Sequence, residues 1–556
     1  MSGGTILYKF GSRANNRAVT LASRVAGRFF RLPPPTHRVT LERDIKVPMP
    51  DGIFLLTDHY APLGPEPRPT ILVRSPYGRA GIRGLLSGRL LAERGYHVVV
   101  QSCRGTFGSG GELYAVRNEA ADGRATLEWL GTQSWFDGRL GTFGASYLGY
   151  TQWAIASDPP VPIRSMAIQV SAAKSQDRVY RGGSFSLADS IGWIDLISNQ
   201  EKSGLAFLSS ILTSTRRLAP LWNHLPLADL DRLATGHSVP HFQDWLVHSE
   251  PGDPFWDAVD FRSQLDASTA EFNLVGGWYD IFLPDTVADY QELRRLGRAP
   301  RLLIGPWTHV QALNSVTLNE ALDWMNRTLA DSGRTDSRPA VRLQLGGSRE
   351  WRDFDDWPPP ADLEVWYLRA EGGLSRQAPN ASEPDHFQYD PANPTPSVGG
   401  AVLSQQAAGA KDNRSLEARP DVLVYSSDPL PADLNVVGPL STSLFVRSSL
   451  AHTDFFARLC DVDERGRSLN VSDGLIRTES SDSAIRRISI EMWPIGHCFR
   501  RGHRLRVQIS SGAHPRFARN LGSGEPLGTA TKMMVAEQEI FHDPERPSAV
   551  LLPALR

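Results

Sequence analysis

The stretch that most restricts the fold is "RLGTFGASYLGYTQWAIAS", from Arg139 to Ser157. Small residues and glycines hold one serine, Ser146, and then give way to a run that reads as a buried helix. Gly144 stands two places before the serine, with Gly141 and Gly149 close on either side. A glycine-flanked serine is often only a turn. A short strand before it and a helix after it favour a second reading, a nucleophile on a sharp, strained corner where strand and helix approach closely. The match to G-x-S-x-G is imperfect, because Leu148 stands where the second glycine is expected and Gly149 comes one place later.

The surrounding pattern places that corner in an α/β domain. "VTLERDIKVPMPDGIFLLTDHYAP" alternates about Asp51-Gly52 and reads as a hairpin. "PTILVRSPYG", the helical "GLLSGRLLAERGY" and "HVVVQS" then give strand, helix and strand, with the continuous apolar runs of a parallel sheet. "NEAADGRATLEWLGTQSW" is helical by spacing, and "IRSMAIQVS" is the next strand. From about Ala172 the strand pattern stops for roughly a hundred residues, which are helical and tryptophan-rich and read as an inserted cap. Strands resume at "EFNLVGGWYD" and "PRLLIGPWTH". Beyond about Arg342 the texture is all-β, interrupted by a polar loop system from Ala378 to Ala418. The expected division is a basic extension over 1–38, an α/β-hydrolase domain over 39–174 and 270–342, a helical cap over 175–269 and a β jelly-roll domain over 343–556.

Chain order supplies an independent test of Ser146. The fold requires serine, then acid, then histidine, each at the carboxyl end of a strand. Asp280 ends "FNLVGGWYD" and His309 ends "RLLIGPWTH". Asp285 competes as the acid, but it sits at a helix start, where an N-cap role suffices.

Composition excludes several classes. In 556 residues with a formal net charge of −2 there is no electrostatic call for nucleic acid. Three scattered cysteines, Cys103, Cys460 and Cys498, argue against a disulfide scaffold or a thiolate metal site. No metal or organic cofactor is implied, and no apolar run approaches a transmembrane span. The glycines of "RGTFGSGGE" run G-x-x-G-x-G, the wrong order for a dinucleotide loop.

The N-terminus carries no acidic residue before Thr40. "RAVTLASRVAGRFFRL" sets Leu21, Val25, Phe29 and Leu32 on one helical face, with Arg17, Arg24, Arg28 and Arg31 mostly on the other. Two readings follow: a stripe docked on the body of the protein, or a peripheral helix lying on an anionic membrane surface. The segment lacks the h-region and cleavage site of a secretory signal, so the expected location is cytoplasmic.

"GASYLGYTQWAIA", "GGWYDIF", "GPWTH", "SPYGR", "DGRATLEWLGTQSW" and "DFFARLCDVDERGRSLNVSDGLIR" resemble the cocaine-esterase branch of the X-Pro dipeptidyl-peptidase, glutaryl-acylase and α-amino-acid ester hydrolase family, over nearly everything after Val39. That resemblance implies Ser146 as nucleophile, His309 as general base and Asp280 as orienting acid. It also implies an oxyanion hole from the Tyr77 hydroxyl and the Tyr147 backbone N–H. A phenol stays protonated at neutral pH and can donate to an oxyanion. The family's Asp-x-Arg-Gly is replaced here by Ser102-Cys103-Arg104-Gly105, which puts local packing in question more than chemistry. Relatives that read a free amine carry acids just after the catalytic acid, where this chain has Phe282 and Leu283. Phe282 matches the aromatic residue of the esterase branch, and Trp153 and Trp193 are candidate further walls.

The expected function is a serine hydrolase of small-molecule esters, or amides, with neutral, apolar or aromatic acyl groups. A dipeptidyl-peptidase with Asp189 or Asp195 holding the substrate amine is one alternative. A catalytically silent binding module on the same fold is another.

Overall fold

The computed structural model describes residues 13–202, 204–329, 338–480 and 484–556. Its first sheet follows the apolar runs. The strands are β1 (Val39–Pro48), β2 (Phe54–Pro62), β3 (Thr70–Ser75), β4 (His97–Ser102), β5 (Leu140–Ala145) and β6 (Ile163–Gln169). After a two-stranded ribbon of β7 (Tyr180–Arg181) and β8 (Ser184–Phe185) come β9 (Glu271–Tyr279), β10 (Arg301–Thr308), β11 (Val341–Gln344) and β12 (Trp351–Phe354). Their spatial order is β1-β2-β4-β3-β5-β6-β9-β10-β11-β12. From β4 to β11 every neighbouring pair is parallel. Parallel neighbours need crossovers, and helices supply them over both faces. Both faces are therefore dry: Ile71, Leu72 and Val73 on β3 and Val98, Val99 and Val100 on β4 are all buried.

The α/β sheet runs further than its sequence signal. β12 pairs antiparallel with β11, so the expected change to a separate β domain at residue 343 falls inside this sheet. Between β6 and β9 the chain is mostly helical, including Leu187–Asn199, Gly204–Leu218 and Pro240–Val247. From Ala361 to Leu555 twelve strands among the described residues form a second sheet around a core that includes Phe455, Leu444, Ile490 and Val507. The fold is thus an α/β-hydrolase core with an inserted helical cap and a C-terminal β jelly-roll domain. The polar stretch after Ala378 contains one strand of that second sheet, Asp385–Tyr389, because Phe387 and Tyr389 alternate inward.

The N-terminal helix Arg13–Phe29 packs in an unexpected orientation. Its small residues face the body: Ser23 is buried and donates to Glu93, and a side chain at Gly27 would stand 3.3 Å from Arg94 Nη2. Leu21, Val25 and Phe29 are 64%, 60% and 76% exposed, whereas Leu32 packs against the core. Arg24, Arg28 and Arg31 are exposed too. Arg28 lies one residue from Phe29 and three from Val25, so the arginines flank the apolar stripe rather than oppose it. The docked-stripe expectation is overturned, because a helix of this composition meets the body best through its smallest side chains. Residues 1–12 of the expected extension and the Arg17 side chain lie outside what the structure describes. Among the described residues no helix is long and apolar enough to cross a membrane.

Candidate active site

Ser146 follows the last residue of β5 directly and precedes the helix Tyr147–Trp153. Its backbone is at φ 59°, ψ −125°, a region non-glycine residues avoid at a cost of about 1–3 kcal/mol. Ser146 N donates to Gln169 O on β6 (2.9 Å), and Ser146 O accepts from Gly149 N (2.9 Å) and Tyr150 N (3.1 Å). Those bonds hold the corner. The glycines permit its closeness: a Cβ on Gly144 would meet Leu148 Cβ at 2.4 Å, and one on Gly149 would meet Ser171 Cβ at 2.4 Å. The departure from G-x-S-x-G has its explanation here. Leu148 fills the space that Gly144 leaves empty, and Gly149 is the point where the helix touches the segment after β6.

Asp280 and His309 immediately follow β9 and β10, so all three side chains emerge at the carboxyl edge of the parallel sheet. His309 Nε2 lies 3.0 Å from Ser146 Oγ, and His309 Nδ1 lies 2.6 Å from Asp280 Oδ1. Asp280 is fully buried, and its second oxygen accepts from Phe282 N at 3.1 Å. A carboxylate so placed fixes the imidazole's orientation and tautomer, leaving Nε2 to accept a proton from the hydroxyl. Asp285, the competing acid, pairs instead with Arg181, and Arg262 stands 3.7 Å from it. Phe282 occupies the N-cap position of that helix, so Asp285 serves as an ion-pair anchor rather than a cap.

Tyr77 lies two residues beyond β3. Its hydroxyl receives Trp193 Nε1–H at 3.2 Å and lies near Ser146. Burial raises its pKa, more than these two neighbours lower it, so the phenol keeps its proton and remains a donor. The Tyr147 N–H opens a helix, where no preceding turn supplies a carbonyl. The Tyr147 ring is clamped: its hydroxyl donates to Glu119 (2.9 Å), accepts from Val116 N (2.9 Å), and Glu119 pairs with Arg74 at 2.9 Å. Burial raises the Tyr147 phenol well above its ordinary value.

The replacement of Asp-x-Arg-Gly has a local solution. Ser102 Oγ accepts from Arg79 Nη1 (3.0 Å), and Arg79 finds its carboxylates on the hairpin, Asp58 (3.1 Å) and Asp44. Arg104 turns to Asp122 and Asp51.

With this geometry in view, comparison with known proteins decides the kinship. Residues 51–311 match the model of X-Pro dipeptidyl-peptidase (S15 family), and residues 333–551 match the X-Pro dipeptidyl-peptidase C-terminal non-catalytic domain. A cocaine esterase of Rhodococcus is 30% identical, over 92% of this chain and 98% of its own length. The chain belongs to the X-Pro dipeptidyl-peptidase family. It is a serine hydrolase. The fold likeness extends to an α-amino acid ester hydrolase, with TM-score 0.80 and 22% identity over 94% of this chain and 98% of that one. It extends also to an aminopeptidase from a marine-sediment thaumarchaeote, with TM-score 0.77 and 20% identity over 100% and 99%.

Beside Ser146 the hydrolase has a cavity of about 50 Å³ bordered by Trp193, Trp245, Ile281, Phe282, Leu403 and Arg178, among others. Phe282 lies 5.5 Å from the His309 ring, and Trp193 stacks parallel to Tyr147 at 5.8 Å. Trp153, the third expected wall, does not border the cavity. It is 1% exposed and stacks on Phe272 in the core, because the helix after Ser146 turns that position inward against the sheet. Trp245, Leu403 and Arg178 went unread in the sequence. Leu403 comes from the loop of the β domain, where its N–H donates to Asp189 at 2.9 Å, and no local pattern announces such a contact.

Proposed function

We propose that this hydrolase cleaves carboxylic esters of apolar or aromatic, amine-free acyl groups through an acyl-enzyme on Ser146. The observation that carries the reading is the continuous Asp280–His309–Ser146 hydrogen-bond chain with the Tyr77 hydroxyl beside the serine. Ser146 Oγ attacks the ester carbonyl as His309 Nε2 takes its proton. The oxyanion then sits between Tyr77 O–H and Tyr147 N–H, and Asp280 steadies the imidazolium. Collapse expels the alcohol, which leaves with the proton from His309. Water, deprotonated by the same imidazole, frees the acid and restores Ser146. The same machinery can open amides, but an alkoxide leaves more readily than an amine.

The pocket supports an amine-free acyl group. Among the described residues no carboxylate borders the cavity, and an ammonium buried there unpaired would cost several kcal/mol. The two acids that would serve a dipeptidyl-peptidase are engaged elsewhere. Asp195 accepts from Arg217 at 2.8 Å and from Asn199 at 3.0 Å, and Asp189 accepts from Leu403 N. Turnover of p-nitrophenyl benzoate and butyrate should exceed that of Gly-Pro-nitroanilide and of free amino-acid esters by at least about a hundredfold in kcat/KM. Preference for either amine-bearing substrate would reverse the reading.

For partners, the exposed Leu21, Val25 and Phe29 flanked by Arg24 and Arg28 support peripheral contact with an anionic membrane surface. Co-sedimentation of the full chain with phosphatidylglycerol vesicles, lost on replacing the three apolar residues by serine, is the expected result. Equal recovery with and without vesicles at low salt would contradict it.

A further inference from the structure

The Tyr77 hydroxyl is gripped from the cap. Trp193 lies on the cap helix Leu187–Asn199, and its Nε1–H donates to Tyr77 Oη at 3.2 Å. Two turns further on, at the C-cap of the same helix, Gln200 Nε2 donates to Pro76 O at 2.9 Å. One face of that helix therefore holds both the phenol and the backbone just before it. A third bond, from Tyr77 N to Ser75 Oγ at 3.1 Å, ties the segment back to the end of β3.

The indole is itself fixed. It stacks on the Tyr147 ring at 5.8 Å with 4° between the planes, and Tyr147 is clamped by Glu119 and by Val116 N. His241 meets the indole in a T-shaped contact at 5.9 Å, and Trp245 lies against it at 6.4 Å. A ring packed on these sides has one direction in which to send its N–H. The residues of both proposed oxyanion donors, Tyr77 and Tyr147, thus adjoin one and the same side chain.

We propose that Trp193 is a positioning residue of the oxyanion hole: its N–H fills an acceptor site of Tyr77 Oη and so turns the phenol's own proton toward the reaction centre at Ser146. A phenolic oxygen carries one proton and accepts at its lone pairs. With an N–H aimed at that oxygen, the O–H turns away from the indole, and the second polar side chain beside it is Ser146. An oxygen that accepts one hydrogen bond is polarised and donates the next more strongly. The developing oxyanion then meets a proton already in place, which is the advantage of a preformed hole. This role rests on the reading of Tyr77 as an oxyanion donor, and it draws the cap into the chemical step as well as into the pocket wall.

Hydrolysis of p-nitrophenyl acetate by the full chain separates this role from that of a wall, because a methyl group makes little use of the wall. Acylation and deacylation both pass through the oxyanion, so kcat reports its stabilisation whichever step is slower. Trp193→Phe should lower kcat by about three- to tenfold, the range of one neutral hydrogen bond, and leave KM within about twofold. Trp193 replaced by 3-benzothienylalanine, in which sulfur stands for the N–H on the same ring frame, should show the same loss. In a Tyr77→Phe background neither change should cost more than about twofold, because the oxygen it acts on is gone. Equal losses in both backgrounds, a loss confined to KM, or full activity of the benzothienylalanine protein would overturn the proposal, even where Trp193→Phe fails to fold. Any of these results leaves Tyr77 standing as a donor if Tyr77→Phe alone is slow. A fully active Tyr77→Phe protein would remove the donor itself, and the role of Trp193 with it.

Discussion

The serine corner and the acyl cavity lie side by side, yet they are built in opposite ways. Ser146, Asp280 and His309 each follow a strand end directly, and Tyr77 stands two residues beyond one. Their positions are set by the register of one parallel sheet and by short hydrogen bonds. The cavity wall is gathered from separate insertions: Arg178 after β6, Trp193 and Trp245 on cap helices, and Leu403 from the β domain. On the proposed function, the sheet fixes the reaction, while the insertions choose what is brought to it. Changes at the corner should therefore act on kcat by orders of magnitude, and changes in the wall, Trp193 apart, should act on KM and selectivity.

Ser146→Ala should show the largest effect, a loss of about 10⁶ in kcat. Activity within tenfold of the parent would break the contrast at its root. Asp280→Asn should follow at about 10⁴, by leaving the imidazole in the wrong tautomer. Tyr77→Phe, with one oxyanion donor removed, should cost about 10² to 10³ in kcat with little change in KM. A fully active variant would remove that hydroxyl from the mechanism. Phe282→Ala should raise KM for benzoate esters by about tenfold while sparing kcat. The smallest kinetic effect belongs to Trp153→Phe: kcat/KM should hold while thermal unfolding shifts down by a few degrees, the cost of a small core cavity. A change in acyl selectivity there would place Trp153 in the wall after all.

The same division explains what could be read from the chain alone. Apolar runs such as "ILV" in β3 and "VVV" in β4 have one interpretation in a parallel sheet, and a polar residue just past such a run must emerge at the sheet's edge. The strand-end positions of Ser146, Asp280 and His309 were legible for that reason, and the neighbouring motifs pointed to Tyr77 and Phe282 beside them. Arg178 was not, because "SQDRVYRGG" has no periodicity to set one of its side chains at the cavity. Trp153 misled because a tryptophan seven residues past the serine looks the same in the core as in a pocket. The N-terminal helix misled in the other direction: its pattern gave the stripe, but Ser23 and Gly27, which decide how it docks, carry little hydropathy signal. β12 went unread as part of the α/β sheet because only its pairing with β11 assigns it there.

The central claim is that a tetrahedral centre on Ser146 Oγ directs its oxyanion to Tyr77 and Tyr147. A crystal structure of the protein after reaction with a p-nitrophenyl alkylphosphonate tests this most directly. The account predicts a phosphorus–oxygen bond at Ser146, a phosphoryl oxygen within about 3 Å of both Tyr77 Oη and Tyr147 N, and the alkyl group against Phe282 and Trp193. A phosphonate bonded to another side chain, or a phosphoryl oxygen turned away from both donors, would contradict it.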